Sequence, residues 1–319
     1  MWLARTAFAD MFRRFFRSGF AATAYLAELI GSMPVEGPDF ICIGMPKAGT
    51  SWLYDQLSTH PDFWMPRVKE LQYLNHRHPP LRHVERHARQ VGRTGRTSRS
   101  LRRAGDAAQS AFVADLKALA GKEMDIGRYA TLFRHKGERL SGDISPPYVS
   151  LSEDVVGEVG RHLPEVKVLF LVREPIDRLR SSLSMNYRKG KFDRTLLEDA
   201  KHFDEFFRDK RLDDRLFPTR VLNRWLRSAP NLRLRTFLFD DIAADADAVR
   251  RGILEFLAAD PEKHSGELPA DYNRKANAPK LFFSDPVKEL LLGYFADEIR
   301  ACAETFGGSA RKWVERYGL

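Results

Sequence analysis

FICIGMPKAGTSWL, residues 40–53, passes from an apolar run through a glycine-bearing turn into a helix-forming stretch. Asp39-Phe-Ile-Cys-Ile-Gly44 shows no alternation of polar and apolar residues, which is how a strand buried on both faces of a parallel sheet reads. Ser51 to Leu57 reads as the helix that follows. A strand–turn–helix of this kind leaves unpaired backbone N–H groups at the helix start, and such groups cradle phosphate. Lys47 adds a mobile positive charge, and Thr50 and Ser51 add hydroxyl donors. The loop is not the GxxxxGK[ST] type, in which lysine directly precedes the hydroxyl residue and a magnesium ion sits on the hydroxyl. Here the lysine comes two residues before Gly49.

Outward from this stretch, Val166 to Val172 (VKVLFLV) is the clearest buried strand, with a helix from Pro175 to Tyr187 behind it. Leu232 to Phe239 alternates like a third strand. Helices are expected over Ser110–Ala120, Ile126–Phe133 and Val249–Leu257, and across 200–228, where Phe203, Phe206, Phe207 and Trp225 recur. Strands alternating with helices predict an α/β fold, a P-loop-like central parallel sheet flanked by helices. Residues 38–319 form one domain on this reading, and residues 1–37 an amphipathic helical extension with a linker.

The second informative block is Val168-Leu-Phe-Leu-Val-Arg-Glu-Pro-Ile-Asp-Arg-Leu-Arg-Ser. Arg173 ends the buried strand, at the edge where open α/β sheets bind ligands, and its planar fork suits a phosphate. Ser181 follows eight residues later on the next helix. Pro175 fits the first turn of that helix, and Arg178 and Arg180 read as solvent-facing.

PKAGTSWL followed by RxPxxRxxSS resembles the sulfotransferase family that uses 3′-phosphoadenosine 5′-phosphosulfate (PAPS) as donor and releases 3′-phosphoadenosine 5′-phosphate (PAP). That family carries a PKxGT[TS] loop and an arginine followed eight positions later by serine. The resemblance covers about residues 38–300. It implies that Lys47, Ala48, Gly49, Thr50, Ser51 and Trp52 hold the 5′-phosphosulfate, with Lys47 also acting in catalysis. It implies that Arg173 and Ser181 hold the 3′-phosphate. Val68-Lys-Glu-Leu-Gln-Tyr-Leu resembles the K-E-x-x-[FY] segment of the glycan-type and bacterial branch, which makes Glu70 the general base. Gly142-Asp-Ile-Ser-Pro-Pro-Tyr resembles that branch's G-E-x-[ST]-P-x-Y turn, with Asp143 in place of glutamate and Ile144 where some glycan enzymes carry lysine. Histidine is the base in the branch that sulfates phenols and steroids. His60 lies in the turn Ser58-Thr-His-Pro and reads as a turn residue, with His76 and His78 further on. Arg274 and Lys275, with Asn277, fall where the family closes a basic loop over the nucleotide.

The chain of 319 residues is 43% hydrophobic, enough for a sizeable core, and carries a net charge of +9, a field that attracts anionic ligands. Its two cysteines, Cys42 and Cys302, stand far apart and read as free core thiols, and no metal-ligand spacing is present. The apolar stretch Gly19 to Met33 is too short to cross a bilayer and contains Glu28, so a cytoplasmic protein is expected. Residues 1–31 leave two readings: an amphipathic helix lying on the inner face of the membrane, or one packed on the domain or a second subunit. The arginine-rich run 82–103 reads as a docking patch for an anionic partner or as a solvated loop. The implied acceptor is a hydroxyl on a carbohydrate, a glycolipid or a small alcohol. The rival readings are a nucleotide-dependent kinase or NTPase, and a basic module binding membrane or nucleic acid. The two spaced phosphate motifs favour the enzyme and argue against a nucleic-acid partner.

Overall fold

A computed structural model describes residues 37–79, 107–209, 214–263, 269–271 and 281–319. The expected N-terminal helix, the run 82–103 and the lid residues Arg274, Lys275 and Asn277 lie outside the described residues. In chain order the elements are β1 (Phe40–Gly44), α1 (Thr50–Thr59), α2 (Ala107–Leu119), α3 (Ile126–Thr131), β2 (Gly142–Ile144), α4 (Glu153–His162), β3 (Lys167–Val172) and α5 (Pro175–Arg188). There follow α6 (Ala200–Asp209), α7 (Pro218–Ser228), β4 (Arg233–Leu238), α8 (Phe239–Ala244), α9 (Ala246–Leu257), α10 (Asp285–Phe306) and α11 (Arg311–Tyr317).

The four strands form one parallel sheet in the order β2-β1-β3-β4. Every residue of β1 is buried, as are the last five of β3, and each such large apolar side chain contributes about 1.5–3 kcal/mol by leaving water. The order has a direct consequence for ligand binding. From β1 the chain moves to one side to make β2, then returns to the other side to make β3. The carboxyl ends of β1 and β3 therefore flank the switch point, where the connecting loops part and leave a crevice.

Two expectations change here. Gly142-Asp-Ile, read as part of a turn, is a fourth strand: Phe40 stands opposite Gly142 and Cys42 opposite Ile144. Three residues are too few to show periodicity, and Pro146 hides the strand behind a turn signature. The stretch 200–228 is two helices rather than one run. Pro218 restricts Phe217 to an extended conformation and starts α7 afresh. Both cysteines are free and buried, and burial pushes the Cys42 thiol up to about 12, so it is inert at neutral pH. Among the described residues no helix is long and apolar enough to cross a membrane.

Candidate active site

Gly44 ends β1 with φ 128, and a Cβ there would stand 2.8 Å from the Pro146 carbonyl oxygen. The register with β3 slips between Cys42 and Gly44, and the Met45 N–H still donates to the Leu171 carbonyl, so the following loop starts from a bent but tethered strand. Lys47 adopts φ 73 and Gly49, the cap residue of α1, φ 99. A glycine cap has no side chain to offer, and no acidic residue lies in the first turn of α1. The N–H groups of Thr50, Ser51 and Trp52 thus open the helix uncapped, with the helix dipole adding positive potential.

The second phosphate-type element meets this loop directly. Arg173 leaves the end of β3, donates Nη1–H to the Lys47 carbonyl at 3.0 Å, and lies 4.2 Å from the Phe239 ring centroid. Its Nε is buried and has no hydrogen-bond partner among the described residues. Burial is the largest influence on Arg173 and pulls it below the ordinary guanidinium range, with Asp177 and Asp240 pulling the other way. Glu174 caps α5, accepting from Ile176 N–H at 2.8 Å and Asp177 N–H at 2.6 Å. The start of α5 is therefore already satisfied, unlike that of α1. Lys47 Nζ lies 3.7 Å from Met185 Sδ, which turns the face of α5 that carries Met185 toward the loop. Ser181, four residues earlier, shares that face. So does Arg178, which is 6% exposed rather than solvent-facing. The alternating arginines of RLRS stand on different sides of a helix, and only Arg180 reaches the rim, paired with Asp177 at 2.5 Å.

Glu70 is brought to the same crevice from a third direction. Lys69 donates to Ser51 Oγ at 2.6 Å, joining the segment to the first turn of α1. Glu70 and Gln72 both have positive φ, 59 and 51, on either side of buried Leu71. Together with Lys47 they are three of the four non-glycine residues in that conformation among the described residues, and strain of this kind concentrates where geometry serves a function. It is held by Asp143. That carboxylate is buried and accepts from Tyr148 OH at 2.6 Å, Ser145 Oγ at 2.7 Å and Tyr129 OH at 3.0 Å, and from the Leu71 N–H. Ser145 Oγ in turn accepts the Gln72 N–H at 3.0 Å. Burial pushes the Asp143 carboxyl above its ordinary value, and these donors pull it back.

Sequence reasoning placed Lys47, Ala48, Gly49, Thr50, Ser51, Trp52, Glu70, Arg173 and Ser181, and the fold gathers all of them around the switch point. It did not find the Lys69–Ser51 contact, the buried face position of Arg178 or the anchoring role of Asp143. The K-E pair and the Asp-x-Ser spacing were visible, but nothing local says that they meet. His60 is a structural turn residue: its Nδ1 accepts from Asp62 N–H at 3.2 Å and its Nε2 faces the Asp260 carbonyl at 3.0 Å. No group of acids, histidines and cysteines suited to a metal occurs among the described residues.

No curated protein matches the chain. Among solved structures, a sulfotransferase from Alicyclobacillus acidocaldarius is 20% identical over 86% of this chain and 98% of its own, with a TM-score of 0.56. The sulfotransferase domain of an olefin synthase from Synechococcus PCC 7002 is 19% identical over 82% and 96%, with a TM-score of 0.37. The first of these supports the fold. A sequence profile described as the sulfotransferase family matches residues 38–262, which is well over half of the 319 residues, and the chain therefore belongs to the sulfotransferase family.

Proposed function

We propose that this chain moves a sulfuryl group from PAPS to an acceptor hydroxyl by in-line displacement. The observation that carries the reading is the junction of Arg173 with the donor loop. A buried guanidinium whose Nε has no partner opens beside a helix start that has no cap. An adenine nucleotide with phosphates at both its 3′ and 5′ positions supplies what each end lacks. PAPS brings the sulfuryl group and leaves as PAP.

On this reading Arg173 and Ser181 hold the 3′-phosphate. The N–H groups from Gly49 to Trp52 and the hydroxyls of Thr50 and Ser51 hold the 5′-phosphosulfate, in a loop closed by the Ala48 N–H, which donates to the Met45 carbonyl at 3.1 Å. Lys47 stabilises the charge growing on the bridging oxygen, and Lys69, already at Ser51, adds a second cation at that end. Glu70 takes the acceptor's proton, held for the task by the Asp143 network. The ends of the segment that contains Arg274 and Lys275 support a lid. Trp52 Nε1–H donates to the Ala270 carbonyl, and Gln56 Nε2–H donates to the Pro269 carbonyl at 3.0 Å. On the far side, Leu281 N–H donates to Ser184 Oγ at 2.9 Å. The described residues on either side of that segment are thus tied to the helix of the donor loop and to the helix of Ser181. The acceptor is a hydroxyl on a carbohydrate, a glycolipid or a small alcohol.

Calorimetric titration with PAP, AMP and ATP tests the donor assignment. Tight PAP binding that AMP does not match, and that Arg173→Ala abolishes, is the expected result. Equal binding of AMP and PAP, or magnesium-dependent ATP turnover, would put the kinase reading ahead.

A further inference from the structure

The last helix, α11, lies beyond the residues that the family profile matches. One face of it, Trp313, Arg316 and Tyr317 at i, i+3 and i+4, makes three polar contacts. Trp313 Nε1–H donates to Asp240 Oδ2 at 2.5 Å, Arg316 Nη1–H to Asp177 Oδ2 at 3.0 Å, and Tyr317 OH to Glu174 Oε2 at 3.1 Å. Asp177, Asp240 and Glu174 are also the three carboxylates whose charges act on Arg173. Each is engaged by a different residue of the same helix.

The geometry matters because Arg173 has few anchors of its own. Among the described residues it makes one hydrogen bond, to the Lys47 carbonyl, and stacks on Phe239. Glu174 is its neighbour in the chain and Asp240 the neighbour of Phe239, so α11 ties together the two walls between which the guanidinium lies. A carboxylate with free lone pairs beside an arginine would take it into an ion pair and swing its fork away from any phosphate. Trp313, Arg316 and Tyr317 each occupy one of those oxygens, Asp240 Oδ2, Asp177 Oδ2 and Glu174 Oε2, while Arg180 takes Asp177 Oδ1 and the Ile176 and Asp177 N–H groups take Glu174.

We propose that α11 is a positioning element for the donor's 3′-phosphate site, holding Asp177, Glu174 and Asp240 away from Arg173 so that its guanidinium stays open to a phosphate. This rests on the reading of Arg173 as the 3′-phosphate ligand.

The test is the ratio of the AMP and PAP dissociation constants, measured by calorimetry for the wild type, Arg316→Met/Tyr317→Phe and Arg316→Lys. The double variant removes two polar tips and leaves Trp313, which is fully buried, in the core. We expect the ratio to fall about tenfold in the double variant, the size of one misaligned charged hydrogen bond, while AMP binding changes by less than about twofold. Arg316→Lys, which keeps a cation on Asp177, should retain most of the wild-type ratio. Parallel weakening of PAP and AMP would mean a merely structural helix and would overturn the proposal. So would a large wild-type ratio that the double variant leaves intact. A wild-type ratio near one would instead remove the 3′-phosphate reading of Arg173, and the proposal with it.

Discussion

Lys69 Nζ donates to Ser51 Oγ at 2.6 Å, so the residue directly before Glu70 is joined to the first turn of the donor-loop helix. This contact brings the acid that would take the acceptor's proton and the loop that would hold the donor into one unit. On the proposed mechanism it would also set a second ammonium at the end of the donor where negative charge develops. Lys69→Met keeps an unbranched apolar side chain and removes the ammonium, which in the native lysine lies 5.8 Å from the Tyr54 ring centroid. Turnover should fall about 10–100-fold, as for loss of a preorganised donor. PAP affinity should fall less than about fivefold, the scale of an exposed ion pair. Steady-state kinetics with calorimetry on the same samples separates the two effects.

Lys47 carries a stronger expectation. Its backbone is committed to φ 73 and its carbonyl to Arg173, so the main chain is fixed whatever the side chain does. The ammonium reaches Met185 Sδ at 3.7 Å, a soft and weak acceptor. Lys47→Ala should lower turnover by about 10²–10³, with a smaller loss of PAP affinity. Near-normal turnover in this variant would remove Lys47 from the chemistry.

The two buried strands could be read from their sequence because parallel strands covered on both faces are continuously apolar, and β1 and β3 are. The turn between β1 and α1 and the place of Arg173 at the end of β3 could be read because each is a local pattern, with all its parts within a dozen residues. The remaining features depend on distance in the chain. Asp143 meets Leu71 and Tyr129 only after β2 has paired with β1, and no spacing within GDISPPY announces that the carboxylate will be wholly buried. Arg178 looked like surface because charged residues usually are. It is nonetheless 6% exposed, on the same side of α5 as Met185. The contacts of α11 join residues about 140 positions apart, between Tyr317 and Glu174 and between Arg316 and Asp177.

Gly142 shows how closely the sheet edge and the site are coupled. It stands opposite Phe40, and a Cβ there would lie 2.4 Å from the Phe40 carbonyl oxygen and 2.6 Å from its ring. Neither a backbone oxygen nor a ring buried in the core can move aside cheaply. Gly142→Ala should cost about 1–3 kcal/mol or more of stability by overpacking. Thermal unfolding should show a drop of roughly 2–4 °C per kcal/mol. Activity should fall further than stability alone explains, because β2 delivers Asp143 and Asp143 holds the Glu70 segment. An alanine variant with native stability and activity would mean that β2 can step away from β1 without disturbing the site.

Glu174 gives a pH dependence whose sign is unusual for a carboxyl. It is fully buried, and burial first, then the neighbouring Asp177, pushes it from 4.5 to about 7, against the pull of the Ile176 and Asp177 N–H groups. The folded protein therefore binds this proton more tightly than the unfolded chain. The stability linked to it is fully present below pH 4.5 and is lost as pH rises through about 7. The full span corresponds to a ceiling of about 3 kcal/mol. Glu174→Gln keeps an acceptor for the α5 cap but does not titrate. Urea unfolding at a series of pH values should show the variant gaining on the wild type as pH rises across that window, with the two curves parallel above and below it. Parallel curves throughout would mean that the carboxyl titrates alike in both states, and that the N–H groups at the start of α5 fully offset its burial.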